Sequence, residues 1–201
     1  LLDQLESDSN IRLEVLQKGG NVGMCRLNWL HPPFDRVEAR QAMLHLIKQE
    51  DILKAVFGNP KYYQACGSLF GCTGLMQSDI NTDWFKGGQN IAKARELFKK
   101  AGYDGRPVVI LHATNVAFMN NACLLIAQWL KDAGVNAELA ASDWGAVISR
   151  RAVKRPVAEG GWNIFVTTTG GARTANPVLH TWIGAACDKA LFGWPCDGQV
   201  E

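Results

Sequence analysis

The histidines of this chain do not form the pattern of a metal site. His31, His45, His112 and His180 include no pair at the i, i+4 spacing that places two imidazoles on one helix face. The chain also lacks a Gly-x-Ser-x-Gly nucleophile elbow, a Walker lysine loop and a Gly-x-Gly-x-x-Gly turn after a strand. The sequence therefore predicts no metal, no cofactor and no catalytic residue.

The acidic residues give no catalytic pair either. Acid–base and glycosidase chemistry need two placed carboxylates, and spacing alone pairs none of Asp79, Asp83, Asp143 and Asp188. Binding a small molecule requires less: a cleft, aromatic walls and a few polar groups on loops at strand ends. We therefore predict a binding protein and not an enzyme.

One glycine-rich turn carries groups that suit a polar ligand. The residues Thr169, Gly170, Gly171 and Arg173 follow a predicted strand. Backbone amides in such a turn, together with a guanidinium, can bind an anion. These four residues are candidate ligand contacts, and a plain turn facing solvent is the alternative.

The chain has six cysteines, and four of them form two pairs that are close in sequence. Neither Cys66 with Cys72 nor Cys187 with Cys196 has the two-residue spacing of a zinc knuckle or a redox motif. We predict two local disulfides, Cys66–Cys72 and Cys187–Cys196, and an oxidising compartment. Buried free thiols are the alternative, and Cys25 and Cys123 fit it better than the other four.

Predicted strands and helices alternate along most of the chain, which is typical of an α/β layer structure. Predicted strands are residues 11–16, 22–29, 108–111, 135–141 and 162–168. A capping-box pattern at Asp35 and Glu38 predicts a helix that starts at about Asp35. A shorter helix that ends at Gly58 carries Leu53, Val56 and Phe57 on one face. Three further helices are predicted: one starts at Asn90, one ends at Gly134, and one runs from Ser142 or Asp143 to about Val153.

Residues 59–88 have no sustained hydrophobic period, so we predict a long loop there. Loops of this length inside a compact domain are usually functional or disordered, and the aromatic content argues for order. Tyr62, Tyr63 and Phe70 lie near the predicted Cys66–Cys72 disulfide and are candidate walls of a ligand pocket. Core packing or contact with another part of the protein is the alternative role for these rings.

Composition limits the classes of protein that remain. A 201-residue chain that is 47% hydrophobic and 20% charged is an ordinary globular composition. The net charge of +2 with scattered basic residues gives no nucleic-acid surface. No apolar run approaches the roughly 18 to 20 residues that span a bilayer. Because the chain does not begin with Met, we expect a piece of a longer polypeptide that has lost a signal peptide.

Several stretches resemble the extracellular solute-binding proteins of the peptide and nickel ABC importers, called family 5. Residues 28–42, NWLHPPFDRVEARQA, are similar to the family signature N…PPFD-x-V-x-x-R-Q-A. Four more stretches agree in order and spacing: KARELFKKAGY at 93–103, QWLKDAGV at 128–135, Asp143-Trp144, and GGWNIF at 160–165.

The resemblance implies a periplasmic-binding-protein-like fold of two lobes that close on a ligand. Residues 1–201 would be a single domain, most of lobe II, with lobe I and the C-terminal return of the chain absent. The implied partners are a small-molecule or peptide ligand, ABC permease subunits and the missing N-terminal lobe. The implied location is periplasmic, or extracellular and membrane-associated. The resemblance implies no nucleic-acid partner and no integral membrane segment.

The sequence departs from the peptide binders that it resembles at both charge clamps of a dipeptide. In those proteins an Asp shortly before an Asn-Pro or Asp-Pro holds the ligand's amino terminus, but here Arg173 falls near that position before Asn176-Pro177. An Arg after the strand that matches residues 108–111 holds the carboxylate in dipeptide binders, whereas Thr114 lies in this stretch here. We add Thr114 to the candidate contacts and expect free dipeptides to be poor ligands.

Two other classes of function stay open. The same fold could present a ligand to a receptor, as a sensor or chaperone. A hydrolase that uses the Gly170-Gly171 turn as an anion hole is the other alternative, and it lacks a nucleophile with a nearby base.

Overall fold

The computed structural model of the chain describes residues 2–17 and 19–200. Within these ranges there are four strands and seven α-helices. The strands are β1 (Asn21–Leu27), β2 (Val108–Ala113), β3 (Ala137–Ser142) and β4 (Ile164–Gly170). The helices are α1 (Leu2–Glu6), α2 (Val37–Leu46), α3 (Gln49–Phe57), α4 (Asp83–Lys86), α5 (Ile91–Lys100), α6 (Ala117–Asp132) and α7 (Trp144–Arg150).

The four strands form one mixed sheet in the order β1-β4-β2-β3. β2 is parallel to both β3 and β4, whereas β1 is antiparallel to β4 with Asn21 opposite Gly170. The carboxyl ends of β2, β3 and β4 and the start of β1 therefore lie along the same edge of the sheet, which we call the carboxyl edge. With helices packed around the sheet, this architecture confirms the predicted α/β class.

Each face of the sheet is covered by a different part of the chain. Helix α6 packs on β2, β3 and β4, and a Cβ added to Gly23 on β1 would lie 2.4 Å from the ring of Phe118 on this helix. Gly23 pairs with Thr168, so Phe165, three residues earlier on β4, points to the opposite face. There Phe165 contacts the rings of Trp182 and Phe192, which belong to the segment after β4.

Local signals set the ends of several helices as predicted. The Asn90 side chain accepts a hydrogen bond from the Lys93 amide at 2.9 Å at the start of α5. The Asp143 side chain caps α7 by accepting from the Ala146 amide at 3.0 Å. After α6, Gly134 has φ of +85°, a backbone conformation that glycine adopts without steric cost.

The predicted strand at residues 11–16 is wrong. These residues pair with no strand among those described, and Val15 and Leu16 are 78% and 92% exposed. An alternating pattern becomes a strand only when a neighbouring strand takes up its backbone groups. The second predicted strand is confirmed as β1.

Three helix predictions need correction. The helix predicted from Asp35 begins at Val37, because residues 31–36 form turns in which the Arg36 amide donates to the Pro33 carbonyl at 3.2 Å. Arg36 is the N-cap and no side chain caps this helix. In α3 the buried residue is Ile52, and Phe57 is 42% exposed. Helix α7 ends at Arg150 and only turns continue toward Val153.

Both predicted disulfides are confirmed. Cys66 is bonded to Cys72, and Cys187 is bonded to Cys196. Cys25 and Cys123 are free thiols, and burial raises the pKa of each to about 12. A thiol with such a pKa is protonated and unreactive at neutral pH.

Candidate functional site

The carboxyl edge brings together five of the candidate contacts. Thr169 and Gly170 end β4, Gly171 and Arg173 lie in the short 3-10 helix that follows, and Thr114 follows the neighbouring strand β2. The amide and the hydroxyl of Thr114 both donate to the Ser142 carbonyl, at 2.9 and 3.1 Å, so the ends of β2 and β3 are joined. These five residues therefore lie together on one edge of the sheet.

The turn after β4 keeps its shape through close backbone packing. The Gly171 amide donates to the Gly20 carbonyl at 2.9 Å. A Cβ on Gly171 would lie 2.0 Å from the Gly19 carbonyl oxygen, so this position tolerates only glycine without backbone movement. The buried Thr174 hydroxyl donates to the Gly171 carbonyl at 2.9 Å. The turn is therefore a fixed support for Arg173.

Arg173 presents a free positive charge at this edge. Its side chain is exposed and forms no salt bridge with any residue in the part of the chain that the structure describes. No acidic residue lies between Phe165 and Pro177. A guanidinium in this state has its five donors available for a carboxylate or another acceptor of a ligand.

The segment after the turn is held on the sheet by arginines. Arg26 on β1 donates from Nε to the Phe192 carbonyl at 2.6 Å and from Nη1 to the Trp182 carbonyl at 2.7 Å. Burial lowers the pKa of Arg26 to about 10. The guanidinium carbon of Arg151 lies 4.4 Å from the ring centre of Phe192. These contacts hold the chain at Trp182 and Phe192 against the sheet.

His112 is a candidate contact that the sequence analysis missed. It lies on β2 two residues before Thr114 and is 6% exposed. Its Nε2 lies 2.7 Å from Asn120 Oδ1 in the first turn of α6. Its Nδ1 is buried and has no hydrogen-bond partner among the described residues. The contact between buried His112 and half-buried Asn120, which joins a strand end to a helix start, was not visible in the sequence.

The three aromatic candidates do not lie together. The ring of Phe70 contacts His180 at 6.2 Å between ring centres, which places it beside the segment after Arg173. The ring of Tyr63 instead contacts Phe57 at the end of α3, at 6.2 Å. Tyr62 forms a hydrogen bond with Glu6. The pKa of the Glu6 carboxyl group is lowered, mainly by its hydrogen bond with Lys61 and secondly by the one with Tyr62. Only Phe70 of the three is joined to the carboxyl side of β4.

No group of three or more metal-ligating side chains occurs within the described ranges. Over the same ranges, no helix combines the length and the apolar character that crossing a membrane requires.

Comparison with known proteins places these features in context. The model of the bacterial extracellular solute-binding proteins, family 5 (middle region), matches residues 1–188. A relative of Sinorhizobium fredii, named a probable peptide ABC transporter periplasmic-binding protein, is 45% identical over 201 residues, which are 100% of this chain and 38% of the relative. Di/tripeptide-binding protein 1 of Pseudomonas aeruginosa is 33% identical over 213 residues, covering 100% of this chain and 36% of the relative.

A solved structure shows the same fold. The ABC transporter-associated periplasmic binding protein DppA of Helicobacter pylori, in complex with the peptide STSA, matches with a TM-score of 0.75 and 20% identity. The match covers 98% of this chain and 37% of that protein. The chain thus spans less than two fifths of the length of each of these three proteins.

Proposed function

Because the chain belongs to the bacterial extracellular solute-binding proteins, family 5, we propose that it forms most of the second lobe of the substrate-binding component of an ABC importer. The protein captures a peptide-like or other small solute in the periplasm and delivers it to the permease. The observation that supports this most directly is the carboxyl edge, where a fixed turn presents the exposed Arg173 guanidinium, which forms no salt bridge with any residue that the structure describes. Residues 1–201 act as one domain in this proposal.

The proposed mechanism is closure of the first lobe, which the rest of the polypeptide forms, over the carboxyl edge. Thr114, Thr169, Gly170, Gly171 and Arg173 contact the solute from this side, and the rest of the polypeptide covers it from the other. A solute that binds the closed form more tightly shifts the population of the protein toward that form. The permease then recognises the closed protein.

The charge at the edge limits the class of solute. A free dipeptide carries an ammonium group, and Arg173 would repel it where no carboxylate is present to neutralise it. A carboxylate or a neutral acceptor suits the guanidinium. The preferred solutes are therefore anionic or neutral molecules, or peptides that are recognised mainly through the backbone.

The test uses the full-length protein and calorimetric titration with two ligands that differ in one charge. Alanyl-alanine carries an ammonium, and its N-acetyl derivative does not. We expect only the acetylated, anionic ligand to bind, and Arg173→Ala to weaken that binding by about 10-fold to 100-fold, because a hydrogen-bonded charge contributes roughly 1.5 to 3 kcal/mol. Arg155→Ala is the matched control, since this exposed arginine precedes β4 and lies toward the opposite edge.

Micromolar binding of free dipeptides that is unchanged in Arg173→Ala would refute the proposed solute class. Mass spectrometry of solutes that copurify with the full-length protein identifies the natural ligand. If no solute copurifies and none of a panel of peptides and anions binds, the proposed transport function fails as well.

A further inference from the structure

Six large apolar side chains are exposed on two neighbouring loops, and we call them the apolar patch. They are Leu69, Leu75, Met76, Ile80, Val178 and Leu179. Leu75, Ile80 and Val178 are 107%, 79% and 89% exposed. Isolated apolar residues on a surface are ordinary, but a large group of them marks a contact surface.

The two loops touch each other, so the patch is one surface region. The rings of Phe70 and His180 are 6.2 Å apart between their centres. A Cβ added to Gly74 would lie 4.0 Å from the Cβ of Ala175. The exposed side chains flank these contacts on both loops.

The loop that carries most of the patch has a fixed shape. The Cys66–Cys72 disulfide closes it at one end. The side chain of Gln49 donates to the Cys66 carbonyl and accepts from the Cys66 amide, both at 2.8 Å. Farther along, the Ser68 hydroxyl accepts from the Ser78 amide at 3.1 Å. A surface that is ordered in advance loses little entropy when it docks.

The patch carries almost no charge. Asp79 is the one charged residue in the range 69–80, and it is paired with Lys86 at 2.9 Å. Residues 174–180 contain no Asp, Glu, Lys or Arg. Interface centres are depleted in charged residues in the same way.

We propose that the apolar patch is the surface on which the remaining part of the same polypeptide docks. This inference rests on the proposed function, in which the chain is one lobe of a longer protein, and it accords with a coverage of 36% to 38% of the two relatives. Residues 174–180 directly follow Arg173 at the carboxyl edge, so the rest of the polypeptide passes close to the patch, and its contact with the patch is permanent and does not require the closure that covers the solute. A second copy of the protein or the permease would have to compete with the rest of the polypeptide for this surface.

The test measures thiol accessibility in the full-length, solute-free protein. Val178→Cys and Ile80→Cys are compared with Lys131→Cys, an exposed control near the end of α6, away from the patch. We expect maleimide to label both patch variants at least about tenfold more slowly than the control, because a thiol buried in a permanent contact reacts only when that contact opens locally. In urea all three should react at the same rate.

Equal labelling rates in the folded protein would overturn the proposal. Light scattering after size-exclusion chromatography accompanies the labelling, and protection that appears only in a dimer would assign the patch to a second copy and also overturn it. Carbene footprinting of the unmodified protein at residues 75–80 and 178–179 gives the same comparison if a variant fails to fold. No solute is present, so a failure of the solute-binding proposal leaves this result unaffected.

Discussion

Asn163 gives a quantitative test of how the sheet is held together. Its side chain is fully buried; Oδ1 accepts from the Val109 amide at 2.9 Å, and Nδ2 donates to the Pro32 carbonyl at 3.0 Å. Asn163→Leu keeps a similar volume and removes both hydrogen bonds. The Val109 amide is then buried without a partner, at a cost of about 1 to 3 kcal/mol, and the bond to the more accessible Pro32 is worth about 1 kcal/mol. The expected loss is about 3 kcal/mol.

The assay is urea unfolding followed by tryptophan fluorescence. With a urea dependence of about 2 kcal/mol per molar, the midpoint should fall by about 1.5 M without a change in slope. Asn136→Leu is the control, because this exposed asparagine uses only its backbone in the sheet. A loss below about 1 kcal/mol, or one equal to that of the control, would refute the reasoning from buried hydrogen bonds.

Asn163 also separates stability from binding. It precedes the first residue of β4, and the carboxyl edge lies at the other end of this seven-residue strand, roughly 20 Å away at about 3.3 Å per residue. Solute affinity of the folded variant should therefore equal that of the original protein.

Two further predictions concern the carboxyl side of β4. Gly171→Ala should lower the stability by about 1 to 3 kcal/mol and weaken solute binding, because the new Cβ would lie 2.0 Å from the Gly19 carbonyl oxygen. Gly198→Ala is the control: its Cβ would have no neighbour within 4 Å, so thermal unfolding and solute affinity should not change. Burial lowers the pKa of His180, an effect larger than the opposing hydrogen bond with the Leu69 backbone. The unfolded chain therefore takes up this proton first as the pH falls through about 6.5, so stability should decrease toward pH 5, and His180→Gln should show a smaller decrease in urea midpoint. Equal pH slopes for the two proteins would contradict this assignment.

The parts of the fold that were predictable depend on neighbours in sequence. Asn90 and Asp143 act within one helical turn, and Gly134 ends a helix through its own backbone conformation. β2 is buried at every position, so its continuous apolar run predicted a strand without knowledge of the partner strands. The turn from Thr169 to Arg173 was predictable as a strand-end turn for the same reason.

The wrong predictions concern features that depend on contacts between residues far apart in the sequence. Residues 11–16 alternate as a strand does, but the backbone partner that such a strand needs is not supplied by the described part of the chain. Asp35 satisfies a capping pattern, yet the turns at residues 31–36 move the first helical residue to Val37. The separation of Tyr63 from Phe70 depends on the path of the loop, and the pairing of His112 with Asn120 depends on how α6 crosses β2.

Three arginines around β4 divide into two roles, and the division bears on affinity. Arg26 and Arg151 are engaged with carbonyls and aromatic rings, and burial lowers the pKa of both. Arg173 remains exposed in the turn that precedes the segment they anchor. A charge pair in water is worth only about 0 to 1 kcal/mol, so a solute carboxylate on the open edge gains little from Arg173. Closure of the proposed first lobe removes that water and strengthens the pair, and tight binding is therefore expected only in the closed protein.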